Sequence, residues 1–213
     1  MKSFFKEDPS FVLNTNCLNF CEHQTKFSVR NWFETHGKKG RKVPRGNVGG
    51  GSFGTAMSKV FGMKGYQVCL LVRDRNIVDG INQERRNPKY LREFTLPHSV
   101  FATSNVESAL EGTQLVVHAL PVQVSREVLE RVAPFIPTGV PVLSTSKGLE
   151  VASHKRPLAF LSGPSFAKEI MQELPTAVVV ACENLEIADF IGVEVAGALK
   201  NIIAIAAGMA EVR

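Results

Sequence analysis

From Gly49 onward the chain alternates between short apolar runs and longer stretches of helical spacing. Residues 52–64 carry Phe53, Ala56, Met57, Val60, Phe61 and Met63 at intervals that predict an amphipathic helix, and Gly65 predicts its end. Residues 66–72 (YQVCLLV) read as a buried strand, as do residues 115–120 (LVVHAL), which Pro121 closes. Helical spacing returns over 125–133, and 140–143 form a short strand running into STSKGLE. Two further strands, 159–161 and 176–181, flank a helix-like 166–173, and 192–210 predict an Ala- and Ile-rich helix. Strands separated by helical stretches predict an α/β fold, a Rossmann-like doubly wound parallel sheet.

The 213 residues are enough for one sizeable domain, or one domain plus part of another. At 44% hydrophobic and 21% charged, the composition is that of an ordinary globular protein. A net charge of +5 suits anionic small molecules and is too mild to argue for nucleic acid. Two tyrosines and one tryptophan make a base-stacking surface a poor expectation. Cys17, Cys21, Cys69 and Cys182 lack metal-site spacing and fit free thiols, so no metal is expected. No membrane span is expected, because the most apolar run, 202–210, is too short and follows Lys200 and Asn201. The first 42 residues are polar and aperiodic, with no signal-peptide core; their four acids sit poorly with a transit segment, and targeting stays open.

The segment GGGSFG has the G-x-G-x-x-G spacing, with Gly49, Gly51 and Gly54 as the pattern glycines. In such a loop the first permits a tight turn, the second clears space for a pyrophosphate, and the third lets the helix pack close to the sheet. Gly50, Ser52 and Phe53 complete the loop, whose free amides would face the phosphates. A helix opens at once and a strand follows, as the pattern requires; the strand before the loop, VPRGN, contains proline and glycine and reads as damaged. About twenty residues on, where an acid often meets the adenosine ribose, stand Arg73 and then Asp74. Arg73 suits adenine stacking or a 2′-phosphate as well as it suits a solvated strand end, which leaves NAD and NADP both open.

Lys147 follows a strand, where ligands bind in parallel sheets, although a surface lysine is the plainer reading. LSGPSFAKE is a second strand-to-helix turn, equally readable as a well-capped helix or as an anion site. Lys200 lies on a stretch that is apolar nearly all round, with Ala196, Gly197 and Ala204 one turn away. A desolvated amine there has its pKa pulled toward neutrality, as a general acid/base requires; snorkelling or pairing with Glu194 is the alternative.

Taken together, GGGSFGTAM, LLVRD, NPKYL, VVHALPVQ, STSKGLE, LSGPSFAKE, LPTAVVVA and GVEVAGALKNIIAIAAG resemble NAD-dependent glycerol-3-phosphate dehydrogenase, in family order from Gly49 to Gly208. The wording is nearest that of plastid-type plant or algal enzymes. The resemblance implies reversible reduction of dihydroxyacetone phosphate to glycerol 3-phosphate with NAD, or NADP as the alternative. It implies Lys200 as catalytic acid/base, Lys147 and Asn201 as substrate-binding, and Gly49–Gly54 and Ala167 as cofactor-binding, to which Arg73 is added from its position after the second strand. A small-molecule phosphate substrate, a homodimer, and a cytoplasmic or plastid location are what it allows. Against it stand a different two-domain dehydrogenase, which SKGLE and GALKN disfavour, and a non-catalytic dinucleotide-binding module.

The domain reading is a polar extension over 1–42, an incomplete dinucleotide-binding domain over 43–191, and the first helix of a substrate domain over 192–213. Three places depart from the family pattern: the first strand, the stretch between Lys147 and Ser162, which is too short for a family helix, and residues 182–191, where a helix and strand are expected. The chain therefore reads as a shortened version of a longer enzyme, poorly active and marginally stable.

Overall fold

The computed structural model describes residues 45–146, 156–174, 176–184, 187–188, 191–192, 195 and, as backbone, 202–208. Its strands are β1 (Arg45–Val48), β2 (Val68–Leu71), β3 (Val100–Thr103), β4 (Val116–His118), β5 (Val142–Ser144), β6 (Leu158–Ser162), β7 (Thr176–Cys182) and β8 (Ile202–Gly208). Its helices are α1 (Ser52–Met63), α2 (Arg75–Glu84), α3 (Val106–Leu110), α4 (Val122–Val132) and α5 (Ala167–Met171), with a 3₁₀ turn at Ala133–Phe135. One sheet holds the strands in the order β3-β2-β1-β4-β5-β6-β7-β8. Pairing is parallel except between β6 and β7. The doubly wound α/β expectation therefore holds, with one antiparallel pair toward one edge.

Over β1, β2, β4 and β5 the sheet is covered on both sides. Ala56, Met57, Val60 and Phe61 of α1, Ile77 and Ile81 of α2, and Ile170 and Met171 of α5 pack on Val68, Leu70, Leu115, Val117 and Leu143. Ala109 and Leu110 of α3 and Val132 of α4 pack on Val48, Cys69, Leu71, Val116 and Val142. Alternate residues of β2 thus enter different clusters, which is why its VCLL is apolar throughout.

The first strand is not damaged. Of VPRGN, the described residues Arg45, Gly46 and Asn47 form β1 with Val48, fully buried and paired in parallel with β2 and β4 at the centre of the sheet. Arg45 is only 2% exposed, and its guanidinium lies 4.4 Å from the Tyr66 ring centroid. Tyr66 is placed by the end of α1: Gly65, with φ +79, lets its own amide bond the Gly62 carbonyl and the Tyr66 amide bond the Phe61 carbonyl. This is a Schellman ending, and its accompanying contact is the edge-on packing of Phe61 and Tyr66, centroids 6.4 Å apart. Gly46 makes room for the opposite layer, since a Cβ there would come within 2.9 Å of Leu110 Cδ2 and 3.3 Å of Thr113 Oγ1. Its amide donates to Thr113 Oγ1 at 2.6 Å. Asn47 donates to the Gly54 carbonyl and to Ser58 Oγ, both at 2.7 Å. The strand survives its polar residues because each has a partner in a flanking layer.

Three elements have only faint sequence signals. β3 is four residues long with Phe101 facing outward, 41% exposed. Asn82 of α2 bonds both the amide and the carbonyl of Ala102 at 2.9 Å, which occupies part of this edge. α2 and α3 begin at Asp74 and Asn105, whose side chains accept from the amides of Asn76 and Ser108.

The expected helix over 192–210 is corrected for residues 202–208, which form β8 in parallel register with all of β7, Thr176 to Cys182. β-Branched Ile202, Ile203 and Ile205 suit a strand as well as a buried helix, and β7 offers an edge whose backbone groups need partners. On β6 and β7, Ala159, Leu161, Val178 and Val180 are buried, whereas Leu158, Phe160, Val179 and Ala181 on the alternate positions are half-buried and Ala177 is exposed.

The fit at Gly46 has a measurable consequence. Gly46→Val, a change toward better strand propensity, should destabilise the protein by about 1–3 kcal/mol through overpacking against Leu110 and Thr113. The urea midpoint measures it, and an unchanged or higher midpoint would contradict this packing.

Candidate active site

The strand order reverses between β1 and β4, and a crevice opens there beyond the carboxyl ends of the strands. A cavity of about 210 Å³ occupies it, lined by Gly49, Gly50 and Gly51, by Val72, Arg73 and Asp74 after β2, and by Lys89, Tyr90, Leu120 and Arg131 among others. The loop geometry is set by sterics. Gly49 has φ +126, and a Cβ on it would collide with the Ala119 carbonyl. A Cβ on Gly54 would overlap the Gly49 carbonyl oxygen. Nothing lies within 4 Å of where a Gly51 Cβ would stand.

α1 starts at Ser52 with Gly51 as its N-cap, and no side chain caps it. The first intrahelical bond runs from the Thr55 amide to the Gly51 carbonyl, so the amides of Ser52, Phe53 and Gly54 have no acceptor within the helix. Free amides, the positive end of the helix dipole and a clear approach over Gly51 fit an anionic group of pyrophosphate size. The charges agree: Arg73, Lys89 and Arg131 face Asp74 alone, and that carboxylate already accepts from the Asn76 amide at 3.0 Å.

The structure brings Gly49, Gly50, Gly51 and Arg73 to one cavity and continues Ser52, Phe53 and Gly54 into the turn beside it. Ala167 does not line the cavity; it opens α5, which is tied to α1 by Lys59 Nζ bonding the Met171 carbonyl at 2.6 Å and Glu173 Oε1 at 3.1 Å. Lys147, Lys200 and Asn201 lie outside the described residues. The strand leading into Lys147 is joined to the end of β4, where the Thr145 amide and hydroxyl donate to the His118 carbonyl at 3.0 and 3.1 Å and Ser146 Oγ donates to the Leu120 carbonyl.

Lys89, Tyr90, Arg131 and His118 were not found by reasoning from sequence. NPKYL was legible as a matching segment without a role, and Arg131 is an ordinary helix arginine until α4 is set beside the loop. His118 is fully buried at the end of β4, with Nδ1 3.5 Å from Ser146 Oγ and no partner for Nε2 among the described residues. Burial pulls its pKa down to about 4.

The N-terminal pattern of NAD-dependent glycerol-3-phosphate dehydrogenase matches residues 46–188, and the C-terminal pattern of the same enzymes matches 189–213. The chain belongs to the NAD-dependent glycerol-3-phosphate dehydrogenase family. It is 39% identical over 198 residues to the chloroplastic NAD(+) glycerol-3-phosphate dehydrogenase 2 of Arabidopsis thaliana, covering 77% of this chain and 47% of that one. It is 37% identical over 191 residues to the NAD(P)+ glycerol-3-phosphate dehydrogenase of Clostridium botulinum, covering 76% of this chain and 58% of that one. Its fold superposes on the glycerol-3-phosphate dehydrogenase of Coxiella burnetii with a TM-score of 0.69 at 28% identity, over 78% of this chain and 54% of the other. The chain thus spans about half the length of the curated relatives it matches. Among the described residues no helix is long and apolar enough to cross a membrane.

The buried imidazole gives a pH test. Below 6.5 the unfolded chain binds a proton that folded His118 excludes until about pH 4. Its contribution to stability is present above 6.5 and is lost as pH falls through that window, by up to about 1.4 kcal/mol per pH unit. Urea midpoints at pH 7.5 and 5 should differ more for wild type than for His118→Val; equal differences would show that His118 is not the group responsible.

Proposed function

We propose that this chain is the dinucleotide-binding part of an oxidoreductase that interconverts dihydroxyacetone phosphate and glycerol 3-phosphate with NAD, or NADP as the alternative. The observation that carries the proposal is the glycine loop at the switch point, open over Gly51 and flanked by three cations, in a chain whose family is shown. Gly49–Gly54 would hold the pyrophosphate by backbone amides, and Arg73 would meet the adenosine end. When bound, the nicotinamide supplies the hydride donor or acceptor. Lys200 would donate a proton to the substrate's C2 oxygen in reduction and withdraw it in oxidation; Lys147 and Asn201 would hold the substrate, with Lys147 offsetting charge on that oxygen. Ala167 would contact the cofactor from α5. The substrate is a small phosphate ester, the assembly a homodimer, and the metabolic place the supply of glycerol 3-phosphate for glycerolipids. The compartment is the plastid or the cytoplasm, the chloroplastic relatives favouring the first.

Binding and turnover are tested separately. Gly51 is extended at φ −75, and a methyl group there meets no protein atom. Gly51→Ala should therefore keep the unfolding free energy, read from urea melts, within about 1 kcal/mol of wild type and weaken NADH binding at least about tenfold; unaltered binding would remove the pyrophosphate from this loop. NADH oxidation driven by dihydroxyacetone phosphate should fall at least about a hundredfold in Lys200→Ala. NADH binding by wild type with no turnover would instead identify a dinucleotide-binding module.

A further inference from the structure

The Gly50–Gly51 peptide joins two glycines, so no side chain of its own stops it from turning over. A trans peptide points its carbonyl and its amide in opposite directions. In this fold the Gly50 carbonyl accepts from Asn87 Nδ2 at 3.0 Å, so the Gly51 amide is turned away from Asn87. Asn87 is 1% exposed and fully engaged. Its Nδ2 also donates to Thr55 Oγ1 at 2.9 Å, and its Oδ1 accepts from the amides of Lys89 and Tyr90, each at 3.0 Å. One side chain thereby joins the loop, the first turn of α1 and the segment that brings Lys89 and Tyr90 to the cavity.

From this network we infer that Asn87 is a positioning residue for cofactor binding: it holds the Gly50 carbonyl out of the phosphate site and fixes the loop in its anion-accepting form. Without that hold, a turned peptide would present the Gly50 carbonyl oxygen, a partial negative charge, to a pyrophosphate. The inference rests on the cofactor reading above and concerns a residue that need not touch the cofactor.

The test titrates NADH into the full chain for wild type, Asn87→Asp and Thr55→Val, at pH 8 and pH 5.5, with urea midpoints recorded for each. The isosteric carboxylate still accepts from Lys89 and Tyr90 but repels the Gly50 carbonyl. At pH 8 the affinity of Asn87→Asp should fall at least about tenfold, the scale of one lost buried hydrogen bond. A protonated carboxyl can donate to the Gly50 carbonyl again, so the affinity of Asn87→Asp relative to wild type should rise as pH falls from 8 to 5.5. Thr55→Val loses the other bond from Asn87 Nδ2 and should bind within about threefold of wild type, because the Gly50 contact remains.

Equal affinity of Asn87→Asp and wild type at pH 8 would overturn the inference, as would an equal loss in Thr55→Val. Wild type that does not bind NADH would overturn the cofactor reading and this inference with it. Should Asn87→Asp not fold, a crystal structure of wild type with NADH decides: a Gly50 carbonyl on Asn87 supports the inference, and one turned toward the pyrophosphate overturns it.

Discussion

Helix α1 begins so close to the end of β1 that the Gly49 carbonyl occupies the place a Gly54 side chain would take. The candidate site depends on this approach. It aims the helix N-terminus, with its unused amides, at the crevice between β1 and β4. It also forces Gly49 into a conformation open to glycine, because the chain must turn beneath Ala119 to reach the helix. Asn47 and Ser58 both bond the Gly54 carbonyl, at 2.7 and 2.8 Å, so the contact is held from the strand below and from one turn along the helix.

That arrangement explains how a central strand tolerates the sequence RGNV. A buried cation, a glycine and an amide should each weaken a middle strand, and desolvating a guanidinium is costly. Each is matched from outside the strand: Arg45 by the Tyr66 ring, Gly46 by the bulk of Leu110 and Thr113, Asn47 by α1. A desolvated cation–π contact contributes roughly 2 kcal/mol, and a neutral buried hydrogen bond about 1 kcal/mol. The strand's stability is therefore tertiary in origin, and its local propensity is a poor guide to it.

Much of the fold was legible because buried parallel strands announce themselves as apolar runs. YQVCLLV, LVVHAL and TAVVVA stand where β2, β4 and β7 do, and Gly65 ends α1 as its position predicts. Elements that lean on neighbours were not legible: β3 is a four-residue edge strand, α3 is five residues started by one asparagine, and the Ile/Ala run over 202–208 pairs with β7 although its composition suits a helix equally. In the site, the glycine loop and Arg73 were legible from spacing, since a loop that cradles phosphate must carry its glycines locally. Asn87, Lys89, Tyr90 and Arg131 were not, because 14 to 82 residues separate them from the loop and Arg73 on the chain and only folding brings them to it.

The residues of GGGSFG by themselves determined where the chain can turn tightly and where it leaves space, since those properties belong to glycine wherever it stands. SKGLE, SGPSFA and GALKN carried the family in the same local way. Whether RGNV is a strand, and which way the Gly50–Gly51 peptide faces, were decided only by tertiary structure. Both depend on hydrogen bonds and ring contacts with residues remote in sequence, Tyr66, Thr113 and Asn87, whose positions are set by the packing of α1 and α3 on the two faces of the sheet.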